Sequence, residues 1–297
     1  MIEHDASAAV VTVRPAGRQP FAVSPDQAAA IARVGHFAAG SYGRLDVART
    51  IEFFARRYVD QLAPFRDLTP STVIADTGAG YGWLAMALAA HTPARIIAVE
   101  PDGARLMAGR DIAAILGIAD RIEWRIEGLG SLGLPDRTAD IVYSVEVLEH
   151  IDGSEAGVRD LARISRDVIV ATTPNLWFPV IAHDTRLPFC HWLPRPARRA
   201  YAAAFGRAHM EDGNIFWSPR DLTRIFAGFR PISGFLHYRT LQDYLATYPA
   251  YLPYDGGRSV PGPGRPKRFY YRAAATLGSA SRYVLPNLAA VWERVPE

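Results

Sequence analysis

The sequence predicts an α/β fold: a doubly wound, mostly parallel sheet with helices on both faces. Three observations carry that prediction. Between residues 72 and 175, short apolar runs alternate with segments of helix length. Strands and helices alternating in this way belong to a parallel sheet covered on both sides. The first apolar run ends in a glycine-rich turn that leads straight into a helix, and the second ends on an acid, Glu100.

The elements follow in order. Residues 1–20 read as a weakly ordered tail. A helix is expected over 25–35, with Ser24 as N-cap and Pro25 at the first helical position. A second is expected over 45–63, where Leu45, Val47, Ile51, Phe54, Tyr58 and Leu62 recur at helical spacing. These two helices suit a lid or cap. TVIADTGAGYG is the first strand and its turn, followed by the helix WLAMALAAH. ARIIAVEPD is the second strand, GARLMAGRDIAAILG a helix, and RIEWRIEG the third strand. ADIVYSVEVLEHI is a fourth strand running into a turn or helix, EAGVRDLARIS a helix, and DVIVATTPN the fifth strand. Right-handed crossovers would wind these units into a doubly wound sheet.

After Asn175 the rhythm breaks. Residues 176–217 are rich in Trp, Pro, His and Arg. SPRDLTRIFAGF reads as a capped helix ending at Gly228, and FRPISGFLHYRTL is strand-like. Residues 247–267 read as a long Pro/Gly-rich loop, and long loops of this kind are usually functional or disordered. A helix near 269–279 and the segment NLAAVWERV complete the chain. There is no internal repeat. The predicted organisation is a tail with cap helices over 1–68, a core over 69–175, a substrate-side insertion over 176–217, and a segment over 218–297 that completes the sheet.

Composition excludes several classes. The chain has 297 residues, 49% hydrophobic and 21% charged, as a packed globular protein does. A net charge of +3 and a pI of 9.1 are too modest to argue for nucleic acid. One cysteine, Cys190, rules out an intramolecular disulfide and argues against a cysteine-based zinc site. The first twenty residues lack a basic region followed by an apolar one, so no signal peptide is expected. No run reaches about 18 uninterrupted apolar residues, so no membrane-spanning helix is expected either. A cytoplasmic chain is the expectation.

The strongest motif is Asp76-Thr77-Gly78-Ala79-Gly80-Tyr81-Gly82, between a strand and a helix. Glycines let the backbone turn sharply and approach a ligand, and the helix N-terminus behind them favours an anionic group. Glu100, twenty residues after Gly80, can accept hydrogen bonds from both hydroxyls of a ribose. Together they imply a nucleoside-bearing cofactor. A dinucleotide fingerprint needs a glycine three residues after the second, and that slot holds Trp83.

The D-x-G-x-G-x-G spacing instead resembles motif I of class I S-adenosylmethionine (SAM)-dependent methyltransferases. Asp140-Ile141-Val142 followed by Ser144-Val145-Glu146-Val147-Leu148-Glu149-His150 is similar to the fourth strand of small-molecule members, including ubiquinone-biosynthesis enzymes. Thr173-Pro174-Asn175 ends the fifth strand as a similar Pro-Asn does in several of them. The resemblance covers about residues 70–175 and returns more faintly at 214–236 and at the C-terminus. It implies a seven-stranded Rossmann-like sheet and SAM as cofactor. The implied cofactor residues are Asp76, Gly78, Ala79, Gly80 and Tyr81 at the methionine end, and Glu100 and Pro101 at the ribose. Glu127 and Gly128 follow strand three, and Glu146 follows strand four. One departure is visible: a Gly-Asp pair that often contacts adenine is replaced by Ile126-Glu127-Gly128-Leu129.

Acceptor residues should follow the carboxyl ends of the strands. Candidate bases are His150, His183 and His191, since histidine titrates nearest neutral pH. Trp177, Phe178, Phe189 and Trp192 around the latter two would make an apolar pocket with a few polar points. The arginines of the insertion, Arg186, Arg195, Arg198, Arg199 and Arg207, admit three readings. They could grip an acidic acceptor, lie with 196–206 as an amphipathic helix on an anionic membrane, or form an ordinary solvated face. The candidate acceptor contacts are Trp177, Arg186, Trp192 and Arg198. No histidine spacing is diagnostic of metal. The leading function is methyl transfer to an O or N atom of a small molecule, acidic or lipid-linked. The alternatives are a macromolecular methyltransferase acting on RNA or protein, and a non-catalytic protein that retains the fold. No D/N-P-P-Y motif follows strand four, which argues against methylation of nucleic-acid base amines.

Overall fold

The computed structural model describes residues 18–151, 155–180, 184–211, 213–247 and 263–296. The chain opens on α1 (Pro25–Ile31), capped reciprocally by Ser24 and Gln27, and α2 (Gly35–Ala39). The helix expected over 25–35 therefore stops at Ile31, and the chain turns before a second short helix. Asp46 caps α3 (Val47–Phe54), which continues through a π-helical turn (Ala55–Val59) into α4 (Asp60–Leu62). Helical periodicity marks the extent of that stretch but does not reveal the π turn inside it.

The sheet strands are β1 (Val73–Thr77), β2 (Arg95–Val99), β3 (Ile122–Arg125), β4 (Ala139–Val145), β5 (Ser165–Pro174), β6 (Phe229–Pro231) and β7 (Asn287–Arg294). Their order is β3-β2-β1-β4-β5-β7-β6, and β7 runs antiparallel to both neighbours. Chain direction across the sheet reverses between β1 and β4. The crevice at their carboxyl ends is where such sheets bind ligands.

Helices α5 (Trp83–His91) and α6 (Gly103–Ile115) cover one face together with α1–α4. Every residue of α5 from Trp83 to Ala89 is buried, because the helix lies between the sheet and α3. A helix enclosed on all sides is apolar all round. On the other face, α7 (Glu155–Ile164) and α9 (Pro219–Ile225) pack Leu161, Leu222 and Phe226 against Ile169 and Trp292. The predicted cap at Ser218 is present as a reciprocal capping box with Asp221.

The insertion contains α8 (Arg195–Ala204), and the chain after β6 contains α10 (Leu241–Thr247) and α11 (Arg265–Ala275). The strand-like reading of 229–241 shrinks to three residues. Pro231 has no amide to continue a ladder, and the chain folds back through a Phe235–Tyr238 bridge with Leu236 in the left-handed region. Gly234 sits so close to the Arg239 carbonyl that a Cβ would lie 2.5 Å from it. Most of the predicted 247–267 loop lies outside the described residues. The helix expected near 269–279 begins earlier, at Arg265, behind Gly264 and with Pro266 in its first turn.

Candidate functional site

The turn after β1 is built from three glycines in the left-handed region. Gly78 and Gly82 sit where a side chain would clash, the latter with a Cβ 2.9 Å from Trp124. A Cβ on Gly78 would lie 2.4 Å from Val147, the residue after Glu146, so the turn packs directly on the end of β4. A Cβ on Gly80 would meet only Arg105, at 3.6 Å, so this glycine leaves its outer side open. The amides of Gly78 and Ala79 donate to the Val99 carbonyl at 2.8 and 2.9 Å, which ties the turn to β2. Those two amides are therefore committed within the protein.

Glu100, buried at the end of β2, bridges the turn to the next helix. Its Oε2 accepts from the Gly80 amide at 2.8 Å, and its Oε1 accepts from the Asp102 amide at 3.1 Å. Asp76 is buried at the end of β1 and accepts from the Ala85 amide at 3.1 Å. Burial pushes its carboxyl up to about 7, against that hydrogen bond, and the charge of Glu100 adds to the rise.

The turn opens into a cavity of about 390 Å³ at the β1/β4 switch point. Asp76, Gly78, Ala79, Gly80 and Tyr81 line one side. Glu146 and Asn287 come from the ends of β4 and β7. The facing wall is Phe53, Phe54, Arg57 and Tyr58, from α3 and its π turn. The turn is anchored by two side chains: Tyr143 Oη donates to the Tyr58 carbonyl at 3.2 Å, and His237 Nε2 donates to the Arg57 carbonyl at 3.0 Å. Single π turns of this kind are frequent at functional sites.

Two features of this cavity have electrostatic consequences. Glu146 adopts a left-handed backbone, φ 53°, its amide donates to Thr172, and its Oε1 accepts from Asn287 Nδ2 at 3.2 Å. Behind it, buried Glu149 accepts from the Thr173 hydroxyl at 3.0 Å. Burial, then the charge of Glu146, pushes Glu149 up to about 8. Glu149 therefore keeps its proton at neutral pH.

Across the cavity, the Arg57 guanidinium makes no hydrogen bond or ion pair among the described residues. Its Nε is buried without a partner, and its carbon sits 5.5 Å from the centre of the Phe53 ring. Burial works against its charge, but the surroundings of Tyr58, Tyr238 and Glu146 more than offset that. His237, directly behind it, is pushed down to about 3 by burial and by the Arg57 charge, and is neutral.

The structure gathers Asp76, Gly78, Ala79, Gly80, Tyr81 and Glu146 around one cavity. Glu100 stands behind the turn. Pro101, Glu127 and Gly128 lie beyond the ends of β2 and β3, outside the cavity lining. Glu127 pairs with Arg125 at 2.6 Å and accepts from the Gly133 amide at 2.8 Å.

The histidine readings do not converge on the cavity. His150 is exposed on the turn after β4, and His183 lies outside the described residues. His191 is buried against the Leu176 carbonyl at 3.0 Å, and burial lowers its pKa. The acceptor contacts read from the insertion also lie elsewhere. Arg198 is buried in a 2.8 Å ion pair with Glu211 and donates to the Asn214 carbonyl, so its charge is satisfied inside the insertion. Trp177, Arg186 and Trp192 are on the surface. Arg57, Phe53, Phe54, Tyr58 and Asn287 were not singled out by sequence. For the first four the only signal was the helical periodicity of 45–63, which reports a buried face and says nothing of a cavity, and Asn287 fell in the segment NLAAVWERV, to which no site role was given.

Residues 74–167 match the model of a methyltransferase domain. The chain is 23% identical over 123 residues to a sterol 24-C-methyltransferase of Eremothecium gossypii, covering 41% of this chain. It spans about a third (33%) of that relative's length. Among solved structures, it is similar to geranyl diphosphate C-methyltransferase from Streptomyces coelicolor, bound to S-adenosyl-L-homocysteine (SAH). There the TM-score is 0.49 at 15% identity, over 89% of this chain and 84% of that one. A second is the complex between the Haloferax volcanii Trm112 methyltransferase activator and a methyltransferase, with TM-score 0.47 at 12% identity, over 91% and 96%.

Proposed function

We propose that this chain, whose residues 74–167 form a class I SAM-dependent methyltransferase domain, methylates an O or N atom of a small molecule that carries an anionic group. The observation that supports it best is the β1 turn. It opens at the sheet's switch point into a cavity while Glu100 holds the Gly80 amide.

The residues present fit SAM. Gly80 presents no side chain to the cavity, and Asp76, Gly78, Ala79 and Tyr81 surround it as the methionine end requires. Each Glu100 oxygen retains a lone pair for a ribose hydroxyl. Pro101, Glu127 and Gly128 are assigned to the adenine end. SAM supplies a methyl group already activated on a sulfonium. The chain's task is then to align the acceptor, and positioning alone lowers a barrier by several kcal/mol.

Arg57 binds the anionic group of the acceptor through charge-assisted hydrogen bonds. The Phe53, Phe54 and Tyr58 rings exclude water around it. Glu146 takes the proton of a hydroxyl or amine acceptor. Glu149 supports this role, because with its proton retained it adds no second negative charge beside Glu146. A cavity of about 390 Å³ is in the range of small-molecule sites and favours a small acceptor over a macromolecular one.

Calorimetric titration with SAM and SAH, with NADH and NADPH as controls, tests the reading. The expected outcome is micromolar binding of the two sulfur ligands alone, weakened about 100-fold in Glu100→Ala, a loss of roughly 3 kcal/mol. Binding of the nicotinamides, or of no ligand at all, would sink it.

A further inference from the structure

Ten of the chain's basic residues fall in two acid-free stretches. Residues 185–210 hold Arg186, Arg195, Arg198, Arg199 and Arg207, and residues 263–292 hold Arg265, Lys267, Arg268, Arg272 and Arg282. Neither stretch contains an Asp or Glu, in a protein with 30 of them. The net charge of +3 therefore hides a strong local asymmetry. The first stretch meets a counter-charge at Glu211, which pairs with Arg198 and Arg199. The second has less to offset it: Arg265, Arg268 and Arg272 are exposed and make no ion pair among the described residues.

The same stretches carry exposed rings. Phe269 on α11 is 75% exposed, Phe205 at the end of α8 60%, and Phe189 and Trp192 50% each. Several exposed rings connect the two stretches. Phe189 and Trp192 pack at 4.9 Å with tilted planes, and the Trp192 indole donates to the Leu176 carbonyl. The next residue, Trp177, packs on Tyr283 at 5.6 Å, and Phe178 faces Tyr270 of α11 at 6.5 Å. The band thus runs from the insertion to α11. Asn175, just after β5, donates to the carbonyls of Arg282 and Leu285, which ties the start of the insertion to the segment that leads into Asn287 of the cavity lining.

We propose that this basic and aromatic band docks the protein on an anionic lipid surface. Water-exposed rings this large normally mark an interaction site. The charge pattern selects the partner: arginines attract anionic headgroups, and Trp, Tyr and Phe settle at the level of the headgroups. Helix α11 has the layout of an interfacial helix, with Tyr271 and Ala274 packed on the protein and Phe269 turned outward among arginines. A duplex nucleic acid would be met by the same charge, but it offers no apolar layer for Phe269, Phe205 and Phe189. Such docking would present the cavity to amphiphilic acceptors held in the bilayer. It stands on surface residues that the methyl-transfer reading does not use.

The test is sedimentation of the full chain with phosphatidylcholine vesicles containing none or a third phosphatidylglycerol. Binding is expected to the anionic vesicles only, and to weaken steeply with salt. Arg265→Glu/Arg268→Glu/Arg272→Glu should lower it at least tenfold. Phe269→Ser/Trp192→Ser should lower it severalfold with less change in salt dependence. SAH affinity and melting temperature of each variant confirm folding and leave the methyltransferase reading separately testable. Absence of binding to anionic vesicles would overturn the proposal. So would binding that both variants retain, or tighter binding to an RNA duplex than to vesicles at the same salt.

Discussion

The two walls of the cavity are built on opposite plans. On the glycine-turn side, polar groups are bonded to one another: Gly78 and Ala79 to Val99, Gly80 and Asp102 to Glu100, and Ala85 to Asp76. On the π-turn side, Arg57 sits beside the Phe53 ring and has no hydrogen-bond partner among the described residues. The first wall is rigid before any ligand arrives, which suits one invariable cofactor. The second carries a guanidinium with no hydrogen bond or ion pair among the described residues, which suits an acceptor that brings its own anion.

Substitutions can break or sharpen this contrast. The largest effect is expected at the rigid wall. Gly78→Ala places a methyl 2.4 Å from Val147 on a backbone at φ 70°. Overpacking and strain together should cost about 2–4 kcal/mol of stability, read as a lower urea midpoint, and should abolish SAH binding. Gly78→Ala/Val147→Ala should recover part of the stability. Full stability in Gly78→Ala alone would mean the turn is loose.

Arg57→Met is the matching change on the other wall. Catalytic efficiency with an anionic acceptor should fall at least tenfold, about 1.4 kcal/mol, while SAH affinity stays within about threefold. Melting temperature should hold or rise, because an unpaired charge is removed. A matching fall in SAH affinity would assign Arg57 to the cofactor's carboxylate instead.

Glu149 gives a smaller, pH-dependent effect. Its folded pKa is raised from the ordinary 4.5 to about 8, so between those values the folded state holds a proton that the unfolded state has released. That contribution is fully present below about 4.5 and is lost as pH rises towards 8. Glu149→Gln, which cannot ionise, should gain stability relative to the parent as pH rises from 5 to 9, read as a urea midpoint that falls less than the parent's over that range. Parallel stability curves would show that Glu149 ionises freely. The smallest effect is expected at His150, exposed and away from the cavity. His150→Ala should change SAH affinity and turnover less than twofold, and a large loss of turnover would restore it as a base.

Much of this was legible in the sequence. The alternation over 72–175 reports the parallel core, because both periodicities follow from which face of an element is buried. The glycine turn and Glu100 were legible because their chemistry is local: a left-handed backbone needs glycine wherever it occurs. The π-turn wall was not. Helical spacing at 45–63 tells that Phe54 and Tyr58 are turned inward, without telling whether they meet packed protein or a cavity. The insertion misled for the same reason. Arg198 looks like a surface arginine until Glu211 appears beside it, and His191 looks like a base until it is found against the Leu176 carbonyl.

By itself, the sequence determined the order of strands and helices, the glycine turn between β1 and α5, and the acid twenty residues beyond it. Only the tertiary structure decided which side chains share the cavity. Arg57, Asp76, Glu146 and Asn287 are drawn from positions spread over 231 residues and meet because β1, β4 and β7 end at one edge beneath the π turn. Backbone conformation is set by neighbours along the chain, whereas a side chain's charge and role are set by whatever the fold places across from it.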